Sequence, residues 1–181
     1  MKLPIQGLNC SFDHQERLYC GTQHKKLVCI SSRSFKILGQ INTKGSVNSI
    51  SLGFAPNTLI IGQTGGEIAI VKINGDREDA GRKSQTAAAT ATVNKNVLEK
   101  IKEVRLFDAN ISKVVRTTRN DIAIGTSKGI FFYRVNEEGS LEPAYAQAML
   151  PECDITEMSE FAIDKYVVAS WHSNDYLILD R

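Results

Sequence analysis

Long apolar runs are absent from this sequence. No stretch approaches the roughly 20 consecutive apolar residues that a bilayer requires. The opening MKLPIQGLNC has no apolar centre of the kind a secretory leader carries. A soluble protein without a transmembrane segment is expected. Blocks of like charge are absent too. The 22 basic and 20 acidic residues are interspersed and leave a formal net charge of +2, which excludes a nucleic-acid-binding arm or a membrane-directed basic patch. Hydrophobic content of 42% and charged content of 23% are those of an ordinary globular protein.

Histidine is scarce, and His14, His24 and His172 each stand alone in a turn-like stretch. None is spaced to pair with a nucleophile or with metal ligands. Cysteine is sparse and not arranged as a disulfide framework. Cys10, Cys20 and Cys29 fall nine or ten residues apart, unlike the two-to-four-residue spacing of a zinc knuckle. They sit in apolar runs, where cysteine behaves as a small hydrophobe, and their spacing puts them on three successive strands. With Cys153 they indicate a reduced interior, the cytoplasm or also the nucleus. The glycosylation sequons at Asn9 and Asn110 are then chance matches.

A phosphate-binding loop is also missing. GDREDAGRKS (75–84) has five residues between its glycines instead of four, and Arg82 intrudes before Lys83. No clear helix follows, so the loop chemistry is not supported. Asp76, Glu78 and Asp79 lack the ligand period of a calcium loop. No cofactor, metal or catalytic residue is expected.

What the sequence does contain is one pattern written four times. LYCG at Leu18, LIIG at Leu59, IAIG at Ile122 and YVVA at Tyr166 each end on a small residue: Gly21, Gly62, Gly125 and Ala169. A polar turn follows each, then a second apolar run starting at Leu27, Ile68, Ile130 and Tyr176. Short apolar runs bounded by turn residues predict β-hairpins. A small closing residue suits a place where a neighbouring backbone or bulky side chain comes close.

Gly21 to Gly62 spans 41 residues and Gly125 to Ala169 spans 44, whereas Gly62 to Gly125 spans 63. The excess is NGDREDAGRKSQTAAATATVNKN (74–96), whose one large apolar residue is Val93. Removing it restores a period of 40–45 residues, the signature of a β-propeller blade. The fold expected is all-β, a propeller segment of about four blades with four antiparallel strands each. The blades fall at about 7–42, 47–107 with a flexible insertion at about 75–96, 111–150 and 155–181. VLEKIKEVRLF (97–107) also carries helical spacing at Val97, Ile101 and Val104. The repeat calls for a fourth strand there, and strand is the expectation.

The pattern resembles the WD-repeat family of propellers in a degenerate form. YLILD matches that family's third strand and ends on Asp180, where the Trp-Asp pair would place its Asp. The other units end CIS, IVK and FYR, and none has the family's Gly-His pair. Its structural hydrogen-bond network is therefore expected to be absent or altered. The resemblance implies a scaffold for protein–protein interaction with no catalysis of its own. The alternative it allows is a targeting module of a larger enzyme or membrane-trafficking assembly. The fourth unit stops after its third strand. Either the ring is incomplete and finished by another chain or the rest of this one, or MKLPIQ pairs onto YLILD as the outer strand.

In a propeller, the turns joining second to third strands share one face with the links between blades. Here that face carries QHKK (23–26), TGG (64–66), SK (127–128) and WHSND (171–175), with Lys44, Asp108, Asn110, Glu152 and Asp154 in the links. Trp171, the one tryptophan, lies in such a turn. It either folds back over the blade edge or anchors a partner, since tryptophan often dominates interface energy. The candidate partner-binding residues are Trp171, His172, Lys25, Lys26 and Lys128. Ser84, Thr86, Thr90 and Thr92 in the insertion are candidate phosphorylation sites behind the basic Arg82 and Lys83. The insertion joins a third strand to a fourth and is expected on the opposite face.

Overall fold

The computed structural model of the chain describes residues 5–75, 97–136, 140–145, 148–171 and 176–181. Among them are fifteen strands and no helix. They form four antiparallel meanders, each running from an inner to an outer strand. The first sheet is β1 (Leu8–His14), β2 (Arg17–Thr22), β3 (Lys26–Ser31) and β4 (Ile37–Asn42). The second is β5 (Val47–Leu52), β6 (Thr58–Gln63), β7 (Glu67–Ile73) and β8 (Leu98–Arg105). The third is β9 (Ile111–Arg116), β10 (Ile122–Thr126), β11 (Gly129–Val135) and β12 (Leu141–Pro143). The fourth has three strands, β13 (Ile155–Ala162), β14 (Lys165–Ser170) and β15 (Tyr176–Asp180). This is the expected propeller arrangement of blades.

The sheets are stacked through their faces. Inner strands pack in succession, β1 against β5, β5 against β9 and β9 against β13. Strands of the middle sheets are therefore covered on both sides, and β6 and β10 are buried at every residue. That is why TLIIGQ and IAIGT read as continuous apolar runs and do not alternate. The cores lie between sheets. Tyr19, Leu27 and Cys29 meet Val47, Leu59, Ile61 and Val71 between the first and second. Ile60 and Ile68 meet Ile111, Val114 and Ile124 between the second and third. Ala123, Ile130 and Phe132 meet Ile155, Met158, Tyr166 and Val168 between the third and fourth.

The small closing residues have a spatial cause. A β-carbon on Gly21 would stand 2.6 Å from Val47 Cγ1 and 2.5 Å from Cys10 Sγ. On Gly62 it would stand 2.5 Å from Ile111 Cγ2, and on Gly125 2.7 Å from Ile155 Cγ2. Val47, Ile111 and Ile155 are the first residues of β5, β9 and β13. Each inner strand thus opens with a β-branched side chain seated on the closing glycine of the sheet before it.

VLEKIKEVRLF is strand, because β8 pairs along β7 from Leu98 opposite Ile73 to Arg105 opposite Glu67. The ladder and the burial of Val97 and Leu98 outweigh the helical spacing, and Ile101 is left exposed. The third outer strand lies at the start of LEPAYAQAML (141–150). It pairs at Leu141–Pro143, donates from Ala144 N–H to Phe132 O, and resumes as a bridge between Met149 and Ile130.

Of MKLPIQ, the strand considered for closing the ring, residues 1–4 lie outside the described residues. Ile5 packs against Cys20, Val28 and Ile30, and Gly7 O accepts from Gln23 N–H. Both belong to the first sheet, where apolar side chains reward burial of Ile5. β15 has β14 as its one neighbour, and β13 does not pack on β1 as the successive inner strands do. Among the described residues the blades follow one another as an arc, from the first sheet to the fourth.

Candidate interaction surface

Equivalent backbone hydrogen bonds place the second-to-third-strand turns on one face. Gln23 N–H donates to Gly7 O, Thr64 N–H to Ser46 O and Trp171 N–H to Asp154 O, at 2.8–2.9 Å. In each case the acceptor is the residue just before an inner strand. The blade links are tied into the same surface. Ser46 Oγ donates to Gln23 O (2.9 Å), Ser46 N–H to Thr64 Oγ1 (2.9 Å) and Gly65 N–H to Asn110 Oδ1 (2.9 Å). The T-G-G turn needs its glycines: Gly66 has φ +82°, and a β-carbon there would stand 2.0 Å from Phe107 O.

On this framework Lys25 and Lys128 are exposed and Lys26 is half-buried at the start of β3. None of the three pairs with an acidic side chain among the described residues. Trp171 is 76% exposed and does not fold back over the blade. These side chains share a face but not a cluster. Lys25 and Lys26 belong to the first blade of the arc, Lys128 to the third and Trp171 to the fourth. His172 lies outside the described residues, as do Ser84, Thr86 and the insertion from 76 to 96. The insertion's flanks join β7 to β8, where Asn74 N–H donates to Val97 O (2.9 Å).

Several links are tied to the blades. Lys44 N–H and Gln63 Nε2 donate to Glu103 Oε1 at 3.2 and 3.0 Å, and Lys100 Nζ reaches Glu103 Oε2 at 2.7 Å. Burial works against the Glu103 charge, yet these donors outweigh it and hold the carboxyl below its ordinary value. Gln63, itself fully buried, accepts from Gly45 N–H (2.9 Å) through Oε1. Asp108 pairs with Arg105 at 2.6 Å.

The opposite face is occupied by its own ties. Its hollow is lined by His14, Leu52, Phe54, Pro56, Asn57 and Arg116. Arg116 donates to Gly53 O (2.7 Å) and Asn120 Oδ1 (2.8 Å) and lies over the Phe54 ring. Thr118 bonds Glu160, and Arg119 pairs with Asp164. Arg116 and Arg119 there are spent on holding neighbouring blades together.

Among the described residues no three His, Cys, Asp or Glu side chains converge as metal ligands. All four thiols are free, and Cys10, Cys20 and Cys29 lie on β1, β2 and β3. Burial pushes the Cys10 thiol up to about 11 and the Tyr19 and Tyr166 phenols up to about 12, which makes them inert. Asp180 is exposed and stands 4.0 Å from Lys165, so it joins no buried network of the Trp-Asp kind.

Sequence reading missed one buried ionic site. Arg181 inserts between the third and fourth sheets, 2.6 Å from Asp121 Oδ2 and 3.0 Å from Tyr145 OH, with its guanidinium 4.2 Å from the Phe132 ring centroid. Burial opposes its charge, but Asp121, Tyr145 and Tyr166 hydrogen-bond it and raise its pKa further.

No protein-family model and no curated protein sequence matches the chain. Among solved structures it is similar to the β-propeller domain of Cps50 (Swd1) from Myceliophteria thermophila, at 13% identity and a TM-score of 0.66. The match covers 97% of this chain and 53% of that one, so this chain spans about half the length of that propeller. At this identity the likeness concerns the fold. No helix among the described residues is long and apolar enough to cross a membrane.

Proposed function

We propose that this chain is an interaction scaffold built of degenerate WD-repeat-like blades, without catalysis of its own. A protein partner docks on the face that carries Lys25, Lys26, Lys128, Trp171 and His172. The observation that carries this reading is the contrast between the faces. One holds an exposed tryptophan and basic side chains without acidic partners among the described residues, whereas the arginines of the other are consumed internally. An exposed indole supplies apolar area, and unpaired ammonium groups select an acidic segment beside it.

The span of about half a known propeller chain also favours a role as a targeting module within a larger enzyme or trafficking assembly. The same face would serve there. The reduced thiols agree with a cytoplasmic or nuclear setting. Phosphorylation at Ser84 or Thr86 would add negative charge to the insertion.

Affinity capture from cell extract with the unmodified chain and with Trp171→Ala tests the reading. Loss of an anchor weakens binding about thirtyfold or more, so partners held by the unmodified chain should disappear. A folded Trp171→Ala protein that captures the same partners at the same level contradicts this face.

A further inference from the structure

The three sheet contacts repeat one arrangement, and the two ends of the arc carry its halves unmatched. In each contact the opening residue of an inner strand sits on the closing glycine of the preceding sheet. By register that opening position in β1 is Leu8, opposite Thr22 as Val47 is opposite Gln63 and Ile111 opposite Thr126. Val47, Ile111 and Ile155 are fully buried, whereas Leu8 is 47% exposed.

The closing position in β14 is Ala169, opposite Tyr176 as Gly21 is opposite Leu27 and Gly125 opposite Ile130. No inner strand covers it. Tyr176 and Ile178 hold the places of Leu27 and Cys29 in the first sheet and of Ile130 and Phe132 in the third. Those four are buried, yet Tyr176 and Ile178 are 73% and 72% exposed. An unpartnered apolar sheet face of this kind marks an interface.

Two details fit the free ends to each other. Leucine lacks the β-branch methyl that Ile111 and Ile155 press onto glycine, and Ala169 carries a methyl where those glycines carry hydrogen. One side of the contact omits the carbon that the other adds. The second residue of each inner strand sits at the same β-bulge and reaches forward. Asn9 donates to Asn48 (3.2 Å), Asn48 to Ile111 O (3.0 Å) and Ser112 to Ile155 O. Ser112 also bonds Gly125 O of its own sheet (3.0 Å), and Thr156, next in the series, keeps that own-sheet bond to Ala169 O (3.2 Å) without a forward one among the described residues.

We infer that a second copy of this chain covers this face. The fourth blade of each copy receives the first blade of the other, with Leu8 seated on Ala169 and Tyr176 and Ile178 buried. The contact is head-to-tail and closes on itself after two copies. A ring of eight blades, half from each arc, is within the range known for propellers.

Sedimentation velocity of the full chain at micromolar concentration tests this. The expected species has twice the 20.0 kDa mass of one chain. Tyr176→Asp and Leu8→Asp should each weaken association by at least about tenfold, with circular dichroism checking that each remains folded. Mixing the two variants should partly restore the dimer, because one of its two contacts is then unaltered. If Leu8→Asp unfolds, Ile178→Asp beside Tyr176→Asp reads the same face. A monomer, an open-ended series of larger species, or a dimer indifferent to these substitutions overturns the inference. Trp171 is untouched throughout, so failure here and failure of the partner-binding face are separate results.

Discussion

The Cγ2 methyl of Ile111 occupies the space a side chain on Gly62 would need, 2.5 Å from where its β-carbon would stand. Carbon atoms do not approach so closely, so Gly62→Ala must push the second and third sheets apart. Overpacking of this kind costs about 1–3 kcal/mol. Ala169→Gly, at the same place in the fourth sheet, relieves no such contact and should cost less. Thermal unfolding of both variants checks the contrast.

That contrast was half legible in the sequence. The run-plus-small-residue pattern gave the four hairpins, the insertion and the need for close approach at Gly21, Gly62 and Gly125. It did not show that Leu8 and Ala169 are the free ends of the same contact, because that depends on ladder register and on which sheets have neighbours. The shared face of Lys25, Lys128 and Trp171 followed from topology, but their separation along the arc did not. Gln63 with Glu103, and Asp121 with Arg181, lie 40 and 60 residues apart. No local pattern signals such pairs, and a terminal arginine reads as solvent-exposed until the pocket that holds it is seen.

Ile124 is fully buried in β10 and packs toward the second sheet, while its neighbour Ala123 packs toward the fourth. Ile124→Asp places an unpaired charge between sheets and should cost several kcal/mol, comparable to the stability of a small domain. Chemical denaturation should find the variant unfolded or with a much lowered midpoint.

Stability should fall at both ends of the pH scale for different reasons. The Glu103 carboxyl is held below its ordinary value of 4.5. Its contribution is present above that pH and declines as pH falls through the lowered folded value. Glu103→Gln should flatten the acid limb of the stability curve. Cys10 and Tyr19 are raised by burial from 9.0 to about 11 and from 10.0 to about 12. Their contributions are present below the unfolded values and are lost as pH rises through the folded ones. Stability followed by unfolding between pH 7 and 12 should therefore decline from about pH 9, and Cys10→Ala should reduce the earliest part of that loss, which the buried Cys20 thiol shares.

Replacing residues 76–96 by a short turn should leave the fold intact, since the hairpin is already closed by Asn74 and Val97 (2.9 Å) and by the full ladder of β7 with β8. The shortened chain should retain its circular dichroism spectrum and its unfolding midpoint within about 0.5 kcal/mol, the range of surface changes.

The most direct test of the interaction face is hydrogen–deuterium exchange of the full chain with and without a captured partner. Protection is predicted at 23–26, 64–66 and around Trp171, the turns tied into one surface by their backbone hydrogen bonds, and at 127–128, the equivalent turn of the third sheet. Protection confined to 15–16, 53–57, 117–121 and 163–164, the turns of the opposite face, would contradict the account.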